Sequence, residues 1–114
     1  MHISERVVGD VTILEVAGSL VADEEGPSLK DKVRSLIQGG CKRVLIDLGN
    51  VQYMDSSGLG DLVRVFATTK NAGGVLKLMR VTRRLSDLLT ITKLVTVFDS
   101  YDSETEALAS FAPQ

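Results

Sequence analysis

The stretch that most constrains the fold runs from Val44 to Phe66. It begins with a continuous apolar run, Val44-Leu45-Ile46, which is typical of a strand that is covered on both sides. A polar hinge follows, Asp55-Ser56-Ser57-Gly58, and after it the apolar residues recur at helical spacing. A buried strand, a loop and an amphipathic helix in this order predict a βα unit, and therefore a mostly parallel sheet with helices packed on it.

The flanking segments predict an α/β fold of one domain, spanning residues 1–114. β-Branched runs on both sides of Gly9-Asp10 predict an antiparallel hairpin whose second strand ends at Gly18. The other predicted elements are, in order, a helix from Pro27 to Gly39-Gly40, a strand at 44–48, the helix after the hinge, a strand at 75–79, a helix capped by Thr82, a strand at 95–98, and a helix capped by Ser103. The order β-β-α-β-α-β-α-β-α implies a mixed, mostly parallel central sheet with about four helices.

Charge and composition narrow the class of function. The 114 residues carry a net charge of −2, and 44% of them are hydrophobic. This balance predicts a globular domain and lacks the basic surface that usually marks binders of nucleic acid or anionic membranes. No apolar run approaches the roughly 20 residues that span a bilayer. The N-terminus has no signal-peptide pattern and the single Cys excludes an internal disulfide, so we expect a cytoplasmic protein.

Asp47 places a carboxylate inside the central apolar strand. Burying a bare carboxylate is costly, so this side chain must reach a pocket or a hydrogen-bond partner. Two roles remain open at this stage. Asp47 either serves the hinge that follows or ties down a neighbouring segment of backbone.

The polar hinge allows two interpretations. Asp and Ser are common helix caps, and a cap alone would explain Asp55. Two consecutive hydroxyls and two nearby glycines, Gly58 and Gly60, exceed what a cap requires and would leave the helix start accessible to another protein. A phosphate on a hinge serine would lie at a helix N-terminus, which favours anions. Such a modification predicts a change in surface charge without a large rearrangement of the fold.

The sequence motifs give little support for an enzymatic function. The segment G-L-G-D-L-V lacks the third glycine of a dinucleotide fingerprint, and neither a phosphate-binding loop nor a nucleophile elbow is present. The only His is His2, and the only Cys is Cys41, which leaves no catalytic triad and no metal-ligand set. We therefore expect no enzymatic activity, no catalytic residues, no metal and no cofactor.

Residues 46–60, I-D-L-G-N-V-Q-Y-M-D-S-S-G-L-G, closely resemble the STAS domain of bacterial anti-sigma factor antagonists. The resemblance extends over essentially the whole chain. It implies that Ser57 is a phosphate acceptor and that Asp55 and Ser56 shape the acceptor loop. It also implies that Gly58 and Gly60 allow a partner to approach closely.

The resemblance further implies a partner-switching mechanism. The unphosphorylated antagonist binds an anti-sigma factor that is also a serine/threonine kinase, which frees a sigma factor. The kinase phosphorylates the antagonist and breaks the complex, and a serine phosphatase resets it. The expected partner-binding residues lie in the hinge and in a second loop: Asp55, Ser56, Gly58, Leu59, Gly60, Asp23 and Glu24.

Two alternatives stay open beside this expectation. The chain could be a STAS domain that acts as a scaffold or transporter-associated subunit without serine phosphorylation, or a switch whose kinase controls something other than a sigma factor. For the expected antagonist we predict no direct contact with nucleic acid or membrane, and a monomer or weak homodimer.

Overall fold

A computed structural model of the chain describes residues 2–21 and 28–111. Within them the predicted order of strands and helices is confirmed. The elements are β1 (His2–Val8), β2 (Val11–Leu20), α1 (Leu29–Gln38), β3 (Arg43–Met54), α2 (Ser56–Asn71), β4 (Val75–Met79), α3 (Arg83–Ile91), β5 (Ser100–Tyr101) and α4 (Glu104–Ser110).

The strands form a single sheet in the order β1-β2-β3-β4-β5. β1 pairs antiparallel with β2 through the predicted hairpin, in which Val8 faces Val11. The other neighbouring pairs are parallel. The prediction of a mixed and mostly parallel sheet is therefore confirmed. In this arrangement β3 is the central strand, and its carboxyl end leads directly into the hinge.

Both faces of the sheet are covered. The side chains of Val44 and Ile46 pack with α1, α2 and α3 on one face, whereas Leu45 packs with α4 on the other. All three side chains have 0% exposure, as do Ile13 and Leu14 on the neighbouring β2. The continuous apolar runs in β2 and β3 thus belong to strands that are buried on both sides, as the sequence predicted.

Two strand boundaries differ from the prediction. Gly18 does not end β2, which continues to Leu20, and β3 extends to Met54 instead of stopping at residue 48. The pairing of β2 with β3 shifts register on either side of Gly18, whose φ is +98°. Glycine at a positive φ lets a strand accommodate such an irregularity. The residue read as a strand end is therefore part of an irregularity within the strand.

The predicted last strand at 95–98 is wrong, because the chain turns there and the short β5 follows at Ser100. Lys93 takes a left-handed conformation with φ +63°, and the N–H of Leu94 donates back to the carbonyl of Leu89. Phe98 is buried and packs edge-to-face on Phe66, with 5.3 Å between ring centroids. The turn that ends α3 and the burial of the Phe98 ring determine the path of this segment. They outweigh the β-propensity of its valines.

The first helix starts later than predicted. It begins at Leu29, and the hydroxyl of Ser28 caps it by accepting a hydrogen bond from the N–H of Asp31 at 3.1 Å. Pro27, which the sequence placed at the helix start, lies outside the described residues. None of the helices that the structure describes is long and apolar enough to cross a membrane.

Candidate functional site

The hinge is held by the backbone and side chain of Asp55. Its Oδ1 accepts a hydrogen bond from the N–H of Gly58 at 2.8 Å, so Asp55 caps α2 as the sequence predicted. Its own N–H donates to the carbonyl of Leu20 at 3.2 Å. These two bonds fix the first turn of α2 against the end of β2.

Ser56 and Ser57 are the first two residues of α2, and both are exposed. The first N–H groups of a helix have no partner inside the helix and, together with the helix dipole, give this end a partial positive charge. A hydroxyl at this position is reachable from solvent and stands where an anion is favoured. The fold thus presents both serine hydroxyls to solvent at the positive end of a helix.

Gly58 and Gly60 have different surroundings. A Cβ on Gly58 would lie 2.1 Å from the carbonyl oxygen of Leu20, so α2 and β2 approach too closely for any side chain there. A Cβ on Gly60 would meet nothing within 4 Å. Gly58 is therefore needed for packing within the domain. Gly60 leaves open surface beside the serines.

Of the five predicted partner-binding residues that the structure describes, three are accessible and two are buried. Ser56 is exposed, and Asp55 and Gly60 are half-buried, so a partner can reach these three. Gly58 and Leu59 are buried, and Leu59 is part of the main core. These two can influence a partner only through the shape of the hinge. Asp23 and Glu24 lie outside the described residues.

A polar cavity of about 460 Å³ borders the two serines. It brings two cations to the hinge, Lys30 of α1 and Arg64 of α2. The Nη1 of Arg64 lies 3.1 Å from the Oδ1 of Asp61. The residues that line the cavity are Lys30, Ser56, Ser57, Gly60, Asp61 and Arg64.

The sequence prediction missed the charged lining of this cavity. Part of it was detectable, because Ser57, Asp61 and Arg64 follow the i, i+4, i+7 spacing of a single helix face. Lys30 had no such signal, since it reaches the cavity only through the packing of α1 on α2.

A more apolar groove of about 480 Å³ lies between the end of β3, just before the hinge, and α3. Tyr53, two residues before Asp55, is 50% exposed, and Ile91 is 78% exposed. Exposed apolar and aromatic side chains of this kind are typical of surfaces that another protein covers. The groove is lined by Tyr53, Met54, Arg83, Arg84, Leu85, Asp87, Leu88 and Ile91.

Asp47 does not reach the hinge. Its Oδ1 accepts hydrogen bonds from the N–H of Gly49 at 2.9 Å and from the Nε of Arg80 at 3.1 Å. Of the two roles left open by the sequence, the structure therefore selects the tie to a neighbouring segment. Within residues 2–21 and 28–111, no group of three His, Cys, Asp or Glu side chains is placed to hold a metal ion.

A family model described as the STAS domain matches residues 2–107. The chain is 41% identical over 73 residues to the anti-sigma-B factor antagonist of Bacillus subtilis (strain 168), an alignment that covers 64% of this chain and 66% of that protein. Any stretch of 73 consecutive residues in a chain of 114 includes the hinge, so the hinge lies within the segment that aligns with this antagonist.

Solved structures agree on the fold. An anti-sigma factor antagonist from Mycobacterium paratuberculosis superposes with a TM-score of 0.81 at 18% identity, covering 96% of this chain and 92% of that one. The Bacillus cell fate determinant SpoIIAA in its phosphorylated form gives a TM-score of 0.72 at 16% identity, covering 97% and 100%. The murine anion transporter Slc26a9 gives a TM-score of 0.71 at 13% identity, covering 92% of this chain and 18% of the transporter.

Proposed function

We propose that this chain, which belongs to the STAS domain family, is a partner-switching antagonist whose Ser57 accepts phosphate from an anti-sigma factor serine/threonine kinase. Its relative in Bacillus subtilis is named an anti-sigma-B factor antagonist. In this proposal the unphosphorylated chain binds the kinase and so releases a sigma factor, and a serine phosphatase restores the binding form. The chain is then the substrate of the switch, acting in the cytoplasm, and requires no cofactor of its own.

The observation that carries the proposal is the position of Ser57. Its side chain is exposed at the second residue of a helix whose start is anchored by Asp55, and it lines a polar cavity. A kinase that binds this surface would find the hydroxyl directly accessible. Phosphate there adds about −1.5 to −2 charges at neutral pH to the middle of the contact, which weakens binding unless a cation of the partner meets it.

The proposal is tested by phosphorylation with the candidate kinase, identified by its binding to the purified unphosphorylated chain. After incubation with that kinase and ATP, intact-mass measurement should show the addition of a single phosphoryl group. Ser57→Ala should bind the kinase and accept no phosphate, whereas the matched variant Ser56→Ala should still be modified. Equal modification of Ser57→Ala and the unaltered chain would disprove the assignment of Ser57.

A charge-mimicking variant tests how the switch acts. We expect Ser57→Asp to weaken binding to the kinase while its Tm stays close to that of the unaltered chain, because a carboxylate at a helix N-terminus is tolerated. A strongly destabilised Ser57→Asp protein would contradict a switch that works through surface charge.

The alternative of a scaffold or transporter-associated domain draws on the fold shared with Slc26a9. That likeness concerns the fold alone, whereas the antagonist relative is 41% identical in sequence over a segment of 73 residues. A scaffold domain requires no phosphate on Ser57, so an unchanged mass after treatment with a kinase that binds the chain would favour it.

A further inference from the structure

We propose that Lys30 and Arg64 hold the phosphate of phosphorylated Ser57 inside the polar cavity between α1 and α2. The inference rests on the proposed function in taking Ser57 as the modified residue. It adds an internal recognition site for the phosphate, formed by this chain itself.

The cavity has the shape and composition for this role. Ser57 shares its walls with Lys30 and Arg64, which come from two different helices that pack on each other. Lys30 is the second residue of α1 and Ser57 is the second residue of α2, so the first turns of both helices border the cavity. A volume of about 460 Å³ leaves ample room for a phosphoryl group on the serine oxygen.

The charges around Ser57 favour a bound dianion. Lys30 and Arg64 supply two positive charges to the lining, and Asp61 supplies one negative charge. Arg64 now pairs with Asp61 at 3.1 Å, but the Arg64 side chain is 66% exposed and the pair spans only three residues of one helix. Such a pair is weak, whereas a guanidinium binds phosphate through two parallel hydrogen bonds. Arg64 can therefore exchange Asp61 for the phosphate.

The consequence is a phosphate that is fixed against the surface of the chain. Drawn between α1 and α2, it joins the two helices and occupies the open surface beside Gly60. A partner that fits the unmodified cavity then meets both the charge and a changed shape. Because the Arg64 side chain is 66% exposed, it can turn toward the phosphate without disturbing the buried core.

The test measures the pKa of the phosphate directly. Phosphoserine is incorporated at position 57 during translation, so that no kinase is needed, and the phosphate is titrated by ³¹P NMR in the folded protein and in urea. Free phosphoserine loses its second proton near a pKa of about 6. We expect the folded protein to show a pKa lower by about half a unit or more, because nearby cations favour the dianion.

Variants of the cavity identify the cause of the shift. Lys30→Ala and Arg64→Ala should each raise the phosphate pKa toward its value in urea, and Lys30→Arg should keep it low. Lys70→Ala is the matched control, since it removes one positive charge from the far end of α2, where Lys70 lies over the ring of Phe66. The inference would be overturned if the phosphate pKa of the folded protein equalled its value in urea. It would also be overturned if Lys70→Ala raised the phosphate pKa as much as Lys30→Ala.

The two proposals fail in different experiments. Lack of phosphorylation by the kinase removes Ser57 as its acceptor and leaves the titration of the translated phosphoserine unaffected. An unshifted phosphate pKa removes the internal recognition site and leaves the kinase result unaffected.

Discussion

The guanidinium of Arg80 donates to both carboxylate oxygens of Asp47, with Nε 3.1 Å from Oδ1 and Nη2 bonded to Oδ2. Arg80 directly follows β4, whereas Asp47 lies inside β3, so this pair fastens the end of one parallel strand to its neighbour. The Asp47 side chain is 2% exposed and the Arg80 side chain 51%. Hydrogen bonding to Asp47 raises the pKa of the Arg80 guanidinium above its ordinary value.

Asp47 is buried and Arg80 is half-exposed, so we expect replacement of each to change the free energy of unfolding by a different amount. Arg80→Ala leaves a buried carboxylate without its cation, and we expect it to lower the free energy of unfolding by about 3–5 kcal/mol. Asp47→Asn leaves Arg80 in contact with water and keeps an oxygen for the N–H of Gly49, so we expect a loss of roughly 1–3 kcal/mol. Urea unfolding of the three proteins measures both effects.

The variant Arg80→Gly separates the effect of losing the guanidinium from the effect of the backbone conformation at residue 80. Arg80 has a φ of +55°, which costs about 1–2 kcal/mol for a residue other than glycine. Arg80→Gly removes the guanidinium and also this cost, so it should be more stable than Arg80→Ala. If Asp47→Asn lost more free energy of unfolding than both Arg80 variants, the prediction would be wrong. The contacts made by the carboxylate would then matter more for stability than the cost of leaving it buried without a cation.

Gly58 and Gly60 form a matched pair for testing the start of α2. Gly58→Ala places a methyl group against the carbonyl of Leu20 at 2.1 Å, and we expect it to destabilise the protein by about 1–3 kcal/mol or more. Gly60→Ala meets nothing within 4 Å and should stabilise the helix by up to about 1 kcal/mol. Thermal and urea unfolding give the two values.

The Gly60→Ala variant also tests the predicted contact with a partner. It keeps the fold but fills part of the surface beside Ser57, so we expect weaker binding to the kinase from a protein that is at least as stable. Unchanged affinity in Gly60→Ala would show that the partner does not approach the surface at Gly60.

Local chemistry explains which parts of the fold were predictable from the sequence. The caps at Asp55, Thr82 and Ser103 each accept a hydrogen bond from the N–H three residues later, as their residue types indicated. Such contacts depend on a few consecutive residues. The buried strands were equally recognisable, because continuous apolar runs identify strands that are covered on both faces.

Contacts between distant segments explain what the sequence missed. The cation that pairs with Asp47 is 33 residues away, and Lys30 shares a cavity with Ser57 only because α1 packs on α2. No spacing along the chain reveals these pairs. The wrong strand at 95–98 has the same origin, because burial of Phe98 against Phe66 decides the path of that segment.

Glu104 predicts an acid-sensitive contribution to stability. It accepts hydrogen bonds from Arg6, which also bonds to Glu15 at 2.8 Å, and the bond to Arg6 holds the pKa of Glu104 below its ordinary value. A carboxylate with a lowered pKa in the folded state stabilises the protein above its unfolded pKa of about 4.3. This contribution is lost as the pH falls through the folded pKa. The pair is partly exposed, with 38% exposure of the Glu104 side chain, so we expect no more than about 1 kcal/mol.

The measurement compares unfolding at neutral and acidic pH. Glu104→Gln should be less stable than the unaltered chain at pH ~7, and the difference should shrink as the pH falls below the unfolded pKa of about 4.3 and through the lowered folded pKa. Glu106→Gln removes a charge from the same turn of α4 without touching Arg6, and serves as the control. A difference between Glu104→Gln and the unaltered chain that stays constant from pH ~7 to pH ~3 would contradict a role for the ionised carboxylate.

Asp55 allows the roles of cap and partner contact to be separated. Asp55→Ala removes the acceptor for the N–H of Gly58 and should lower the free energy of unfolding by about 1 kcal/mol, with faster hydrogen exchange at the Gly58 amide. Asp55→Asn keeps an oxygen at the same position and should retain most of the stability, because Asn caps helices about as well as Asp.

Binding of these variants to the kinase then shows whether the Asp55 carboxylate is only a helix cap or also contacts the partner. The first turn of α2 carries Ser57, so a cap that fails in Asp55→Ala should weaken binding by loosening the serine's position. If Asp55 acts only as a cap, Asp55→Asn should bind and accept phosphate like the unaltered chain. A stable Asp55→Asn protein that no longer binds would mean that the charge of Asp55 itself contacts the partner. In that case the half-buried carboxylate belongs to the binding surface as well as to the fold.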